Sequence, residues 1–258
     1  MATKTNNFSS KWRRAIGWVI FKKEVNAFFS SLIGYLALIL FLTLMGLLVW
    51  IFPSTNALDY GEATLKEFFE DAPLVFMLLI PAITMRSFAE EFKSGTIELL
   101  ATRPFSDMQI ILGKYFASVF LVFLALLPTL CYYFTVYVLA DSTGIDTGAT
   151  WGSYIGLLLL GATFVAIGIF ASALTSSQIV AFLLSAFLCF FFYISFDFLS
   201  NLHIFYAKID YLIHQIGIRS HYLSISRGVV ELTDMIYFFS VISIFILLTK
   251  LVLESRKW

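Results

Sequence analysis

The chain has 258 residues, 60% of them hydrophobic, 18% aromatic and only 13% charged, with a formal net charge of zero. A soluble domain carries roughly 25% charged residues, so a mean hydropathy of +0.88 excludes a water-facing skin and leaves lipid as the solvent for much of the surface. The absence of net positive charge argues against nucleic acid as a partner.

Residues 1–31 are polar and basic, too long and too charged for a cleaved signal peptide. Within them, Trp12, Ala15, Ile16, Val19 and Ile20 form one stripe, with Arg13 and Arg14 off it. This pattern suits a helix lying on the membrane surface, with a bend expected where the stripe fails at Lys22 and Lys23. Six apolar runs follow, at 32–52, 73–85, 115–139, 151–174, 179–199 and 235–253. About 20 apolar residues are needed to cross the hydrocarbon, and a spanning segment must satisfy its own backbone, so each run is expected as a helix. The second run is short unless its helix continues through Phe88. Pro128 predicts a kink in the third. Gly156, Gly161, Gly168 and Ala171 predict close packing of the fourth. The fold class expected is therefore all-α and polytopic, with six transmembrane helices. A terminal region 1–31 precedes a membrane domain 32–258, which holds a loop at 86–114 and an amphipathic segment at 201–234.

Thirteen of the 17 Lys and Arg fall on the side of the termini and the 86–114 loop. The positive-inside rule then puts both termini and that loop in the cytoplasm, in the inner membrane of the cell.

The 86–114 loop is longer than a bare connector needs. Phe88 and Phe92 lie one helical turn apart, with Glu90, Glu91 and Lys93 on other faces. Gly95 is a helix stop, Thr96 a cap for a second short helix through Thr102, and Pro104 its end. Ser106 with Gln109 forms a capping box that opens the third span. On these residues alone, the loop either packs beneath its own bundle or presents a docking surface.

The segment E-E-F-K-S-G-T-I-E-L-L-A-T-R-P, Glu90 to Pro104, resembles the signature between the second and third helices of type-2 ABC-transporter permeases. Ser226 to Phe238 is similar to that family's entry into its last helix. The resemblance spans nearly the whole chain and looks closest to the gliding-motility-associated permeases. It implies that the loop docks on a separate cytoplasmic ATPase. Phe92, Ile97, Leu99 and Leu100 would supply apolar contact. Glu90, Glu91, Lys93 and Glu98 would set the register, with Gly95, Thr96, Arg103 and Pro104 shaping the loop. It further implies that the N-terminal helix (Trp12, Arg13, Arg14, Ile16, Lys22, Lys23) is an elbow helix, a reading compatible with a simple positive-inside anchor. Two permease chains, identical or paralogous, would pair.

The chain has no G-x-x-x-x-G-K-[ST] phosphate loop. No catalytic residue is expected, no cofactor or metal is expected on this chain, and ATP with Mg²⁺ belongs to the partner. Asp197, Phe205, Arg227 and Glu231 are candidate pathway or outer-gate residues; for Asp197, near the end of the fifth run, the reason is that intramembrane charge marks a pathway or a pairing. The amphipathic stretch 202–219 is either a lid or a cap on the bundle. His203, His214 and His221 read as ordinary interface histidines. Competing readings are an accessory membrane scaffold, a secondary transporter, which usually shows inverted repeats, and an intramembrane protease, for which no paired catalytic groups are visible.

Overall fold

The computed structural model describes residues 17–52, 64–96, 106–140, 144–201, 215–229 and 231–256. Among them, α1 covers 17–29, α2 Leu32–Trp50, α3 Lys66–Thr84 and α4 Ala89–Lys93. The third span is α5 (Asp107–Leu126) and α6 (Leu130–Leu139), joined by a 3₁₀ turn at Leu127–Thr129. Then come α7 (Thr147–Leu174), α8 (Gln178–Phe190), a π turn at Phe191–Ser195, α9 (Phe196–Asn201), α10 (Ile218–Ser226) and α11 (Leu232–Ser255). Six helices are long and apolar enough to cross a membrane, so the protein is an all-α, multi-pass membrane protein.

The second span begins at Lys66, well before the apolar run at Pro73. Its first turns are amphipathic: Phe68, Phe69 and Ala72 are buried while Lys66 and Glu70 are exposed. A hydropathy window averages these faces together and misses the extension. The kink expected at Pro128 is the 3₁₀ turn, and the hydroxyl of Tyr154 on α7 donates to the Thr129 carbonyl there at 3.0 Å. A neighbouring helix thus serves backbone that water cannot reach. The capping box at Ser106 is present, with Gln109 Oε1 accepting from the Ser106 N–H at 3.1 Å.

α7 is the central shaft. Its most apolar window is 78% buried by protein, against 22% for the first and fifth spans. The small residues explain this position. Lipid tails are as apolar as leucine, so helices associate in a bilayer through close contact and hydrogen bonds. Gly156, Gly161, Gly168 and Ala171 are all buried. A Cβ on Gly168 would overlap the Thr84 hydroxyl of α3 and lie 3.0 Å from Ser185 Oγ of α8. That hydroxyl is itself fixed, donating to the Ile80 carbonyl at 2.9 Å. Gly168→Ala is therefore expected to overpack the α3–α7 crossing and cost about 1–3 kcal/mol. Gly17→Ala, at a helical glycine with open space around it, should be neutral or slightly stabilising. Thermal unfolding of the two variants in detergent checks this.

Candidate functional site

The loop helix α4 is only five residues long and could not persist alone. Its first N–H groups need partners, and its own N-cap, Phe88, has no side chain to offer. Ser172 of α7 supplies them. Its Oγ accepts from the N–H of Phe88 at 3.0 Å and of Ala89 at 3.1 Å, and donates to the Met85 carbonyl at 3.0 Å. Phe88 is fully buried. Phe92 is half-buried against it, and the Arg256 guanidinium lies 4.3 Å above the Phe92 ring, a cation–π contact. Arg256 also donates to the Leu174 carbonyl at 2.7 Å. The loop helix is thereby pinned to the ends of α7 and α11. Gly95 ends it with φ +69°, a conformation that costs glycine nothing.

The three charges of α4 diverge. Glu90 and Lys93 are exposed, but Glu91 is buried. Glu91 therefore does not set register on an open surface as its position in the motif suggested, and Phe92 is a packing residue more than a free apolar contact. The reason is Lys114, on α5 and only 2% exposed. Its ammonium meets Glu24 of α1 at 2.8 Å and Glu91 at 3.0 Å, and donates to the Ser87 carbonyl at 2.6 Å. Lys23 of α1 closes the arrangement, 3.1 Å from Glu91 and 3.9 Å from Glu24. In the sequence Lys114 looks like one more basic loop residue. Only the pairing of three distant segments reveals it as a buried charge. A cavity of about 290 Å³ borders this group and is also lined by Arg86 and Ser31, which hydrogen-bond to each other at 2.9 Å.

α1 is continuous through Lys22 and Lys23, and Lys23 reaches Glu91 at 3.1 Å. Lys22 stays exposed. Trp12, Arg13, Arg14 and Ile16, and on the loop Ile97, Glu98, Leu99, Leu100, Arg103 and Pro104, lie outside the described residues, as does Phe205.

At the opposite end, α10 is stitched to its neighbours by polar bonds. Tyr222, fully buried, donates to the Phe69 carbonyl at 2.5 Å, and burial pushes its phenol well above its ordinary pKa. Ser153 of α7 donates to the Ser226 carbonyl at 2.9 Å. His221 is buried, not an exposed interface residue. Its Nδ1 lies 2.7 Å from Asp234 Oδ1 and its Nε2 2.8 Å from the Gln215 carbonyl. A carbonyl only accepts, so Nε2 carries a proton. Of the expected pathway residues that are described, Asp197 pairs with Arg219 at 2.5 Å, Glu231 is the exposed N-cap of α11, and Arg227 lines an open cavity of about 840 Å³, with Lys66, Glu70 and Asp146.

Removing the Ser172 hydroxyl would orphan two buried donors, at about 1–3 kcal/mol. In Ser172→Ala the amides of Phe88 and Ala89 should exchange with deuterium at least about tenfold faster, with α10 unaffected.

A search among curated proteins returns no match. The model of the family described as ABC-2 family transporter protein matches residues 18–257. That match takes in all six spans, the Lys114 group and the loop helix, and the chain belongs to the ABC-2 transporter family as a membrane permease subunit.

Proposed function

We propose that this chain is the membrane half of an ATP-driven exporter whose 86–114 loop docks on a separate cytoplasmic ATPase. The observation that carries this reading is the anchoring of α4 to the ends of α7 and α11. A five-residue helix held by Ser172, Phe88 and Arg256 transmits a push to α7 and α11, where a loose connector would absorb it. Its outward charges, Glu90 and Lys93, give a partner its register. The family membership supports an ATPase as the kind of partner, and ATP with Mg²⁺ would be bound there. The lysine and arginine distribution supports a cytoplasmic loop and cytoplasmic termini in the inner membrane.

The first and fifth spans are the least buried, each with 22% of its apolar window buried by protein, and their exposed apolar faces could receive a second permease copy or a paralogue. A place in gliding motility rests on the resemblance of the Glu90–Pro104 and Ser226–Phe238 segments. An accessory scaffold is the alternative, and it predicts no ATPase on the loop.

The test is capture of a candidate ATPase, encoded nearby, by the wild-type chain and by a Glu90→Lys, Lys93→Glu variant. These two side chains are exposed, so exchanging their charges leaves the bundle intact, whereas Phe92→Asp would break packing. The expected result is roughly a tenfold loss of captured ATPase in the variant, a difference of about 1.4 kcal/mol. Equal capture would remove α4 from the interface, and no capture by the wild type would favour the scaffold.

A further inference from the structure

The four charges around Lys114 form a closed ring of alternating sign. Going round it, Lys23 meets Glu91 at 3.1 Å, Glu91 meets Lys114 at 3.0 Å, Lys114 meets Glu24 at 2.8 Å and Glu24 meets Lys23 at 3.9 Å. A lysine ammonium has three donors. Lys114 directs all three at acceptors on different segments: Glu24 of α1, Glu91 of α4 and the carbonyl of Ser87. An unpaired charge at 2% exposure is strongly unfavourable, so Lys114 must keep at least one of its glutamates, and holding both ties α1 and α4 to α5. The ring is neutral as a whole, and only Lys23 among its members has a mostly exposed side chain.

α1 is also seated on α5 beside the ring. Ile20 is buried, and a Cβ on Gly113, the residue before Lys114, would lie 2.8 Å from Ile20 Cγ2 and 3.3 Å from the Gly17 carbonyl. The missing side chain at Gly113 is what admits α1. A helix held only by lipid would need neither a notch in a spanning helix nor a buried ammonium.

We propose that Lys114 is a positioning residue that locks α1 to the loop helix α4, so that the two move as one body. The N-terminal helix is then a working part of the ATPase-driven movement and not a passive anchor on the bilayer. The use of the lock rests on the docking reading above. The lock itself does not.

The deciding variant is Lys23→Ala, Glu24→Ala. It removes one charge of each sign and both of the contributions of α1, and it leaves Lys114 and Glu91 paired, so the bundle stays neutral and folded. Spin labels are placed at the exposed positions 22 and 93, with Cys131 and Cys189 replaced by alanine, and their separation is measured in the full chain in nanodiscs. The expected result is a single narrow distance distribution with the ring intact, and one at least twice as broad in the variant. An equally narrow distribution in the variant overturns the lock. In complex with the ATPase, the variant should capture the partner undiminished and leave KM for ATP unchanged, while kcat falls several-fold. A merely structural loss would move capture instead, and unchanged kcat overturns the role of α1. If the wild type captures no ATPase, it is the docking reading that fails, and the distance distributions still decide whether α1 and α4 are one body.

Discussion

Hydrocarbon offers no water to a backbone carbonyl, a hydroxyl or a helix end, and every region of this structure depends on how α7 answers that constraint. Its glycines bring it against α3 closely enough that Thr84 and Gly168 are in contact. Its serines then act as clasps at both ends. Ser172 holds the start of the loop helix, and Ser153 holds the end of α10. Nineteen residues of helix separate them, roughly 28 Å at 1.5 Å per residue. One helix therefore touches both ends of the molecule through serine hydroxyls that bond to backbone of the neighbouring segments.

The two ends solve the problem of charge differently. At the loop end, four charges from three segments share one ring around Lys114. At the other end, the polar contacts stand in separate pairs, Asp197 with Arg219 and the imidazole of His221 with Asp234. Separate pairs each tie two elements and can open independently of each other. The buried ammonium of Lys114 ties α1 and α4 to α5 together, because losing both of its carboxylate partners would leave it unbalanced. The ring lies at the end of the molecule that carries the loop helix α4. The other end holds the open cavity lined by Lys66, Glu70, Asp146 and Arg227.

The outer helices complement the shaft. α2 and the α8–α9 span keep large apolar side chains such as Leu36, Ile39, Ile179 and Leu183 exposed. The π turn between α8 and α9 carries the run Phe191-Phe192-Tyr193. Tyr193 is its buried member, packed against Phe164 of α7. Thus the fifth span faces lipid along most of its length and meets the shaft through a local widening of the helix.

Much was legible in the sequence because bilayer thickness and backbone chemistry act on short stretches. The six spans, the stop at Gly95, the capping box at Ser106 and Gln109, the break at Pro128 and the close packing of α7 all depend on residues within one or two helical turns of each other. The start of the second span at Lys66 was hidden for an equally local reason, since its charged and apolar faces cancel in an average. What only the tertiary structure decided is which polar groups meet. Lys114 and Glu24 are 90 residues apart, and Ser172 lies 84 from Phe88. Glu91 looked like surface charge, and His221 like an interface residue. Pairing energy depends on distance in space and on burial, and a linear chain records neither. By itself the sequence determined that this protein is a six-helix membrane subunit with a structured loop. The packing of α1, α4 and α5 around one ammonium decided that the loop and the N-terminal helix are joined.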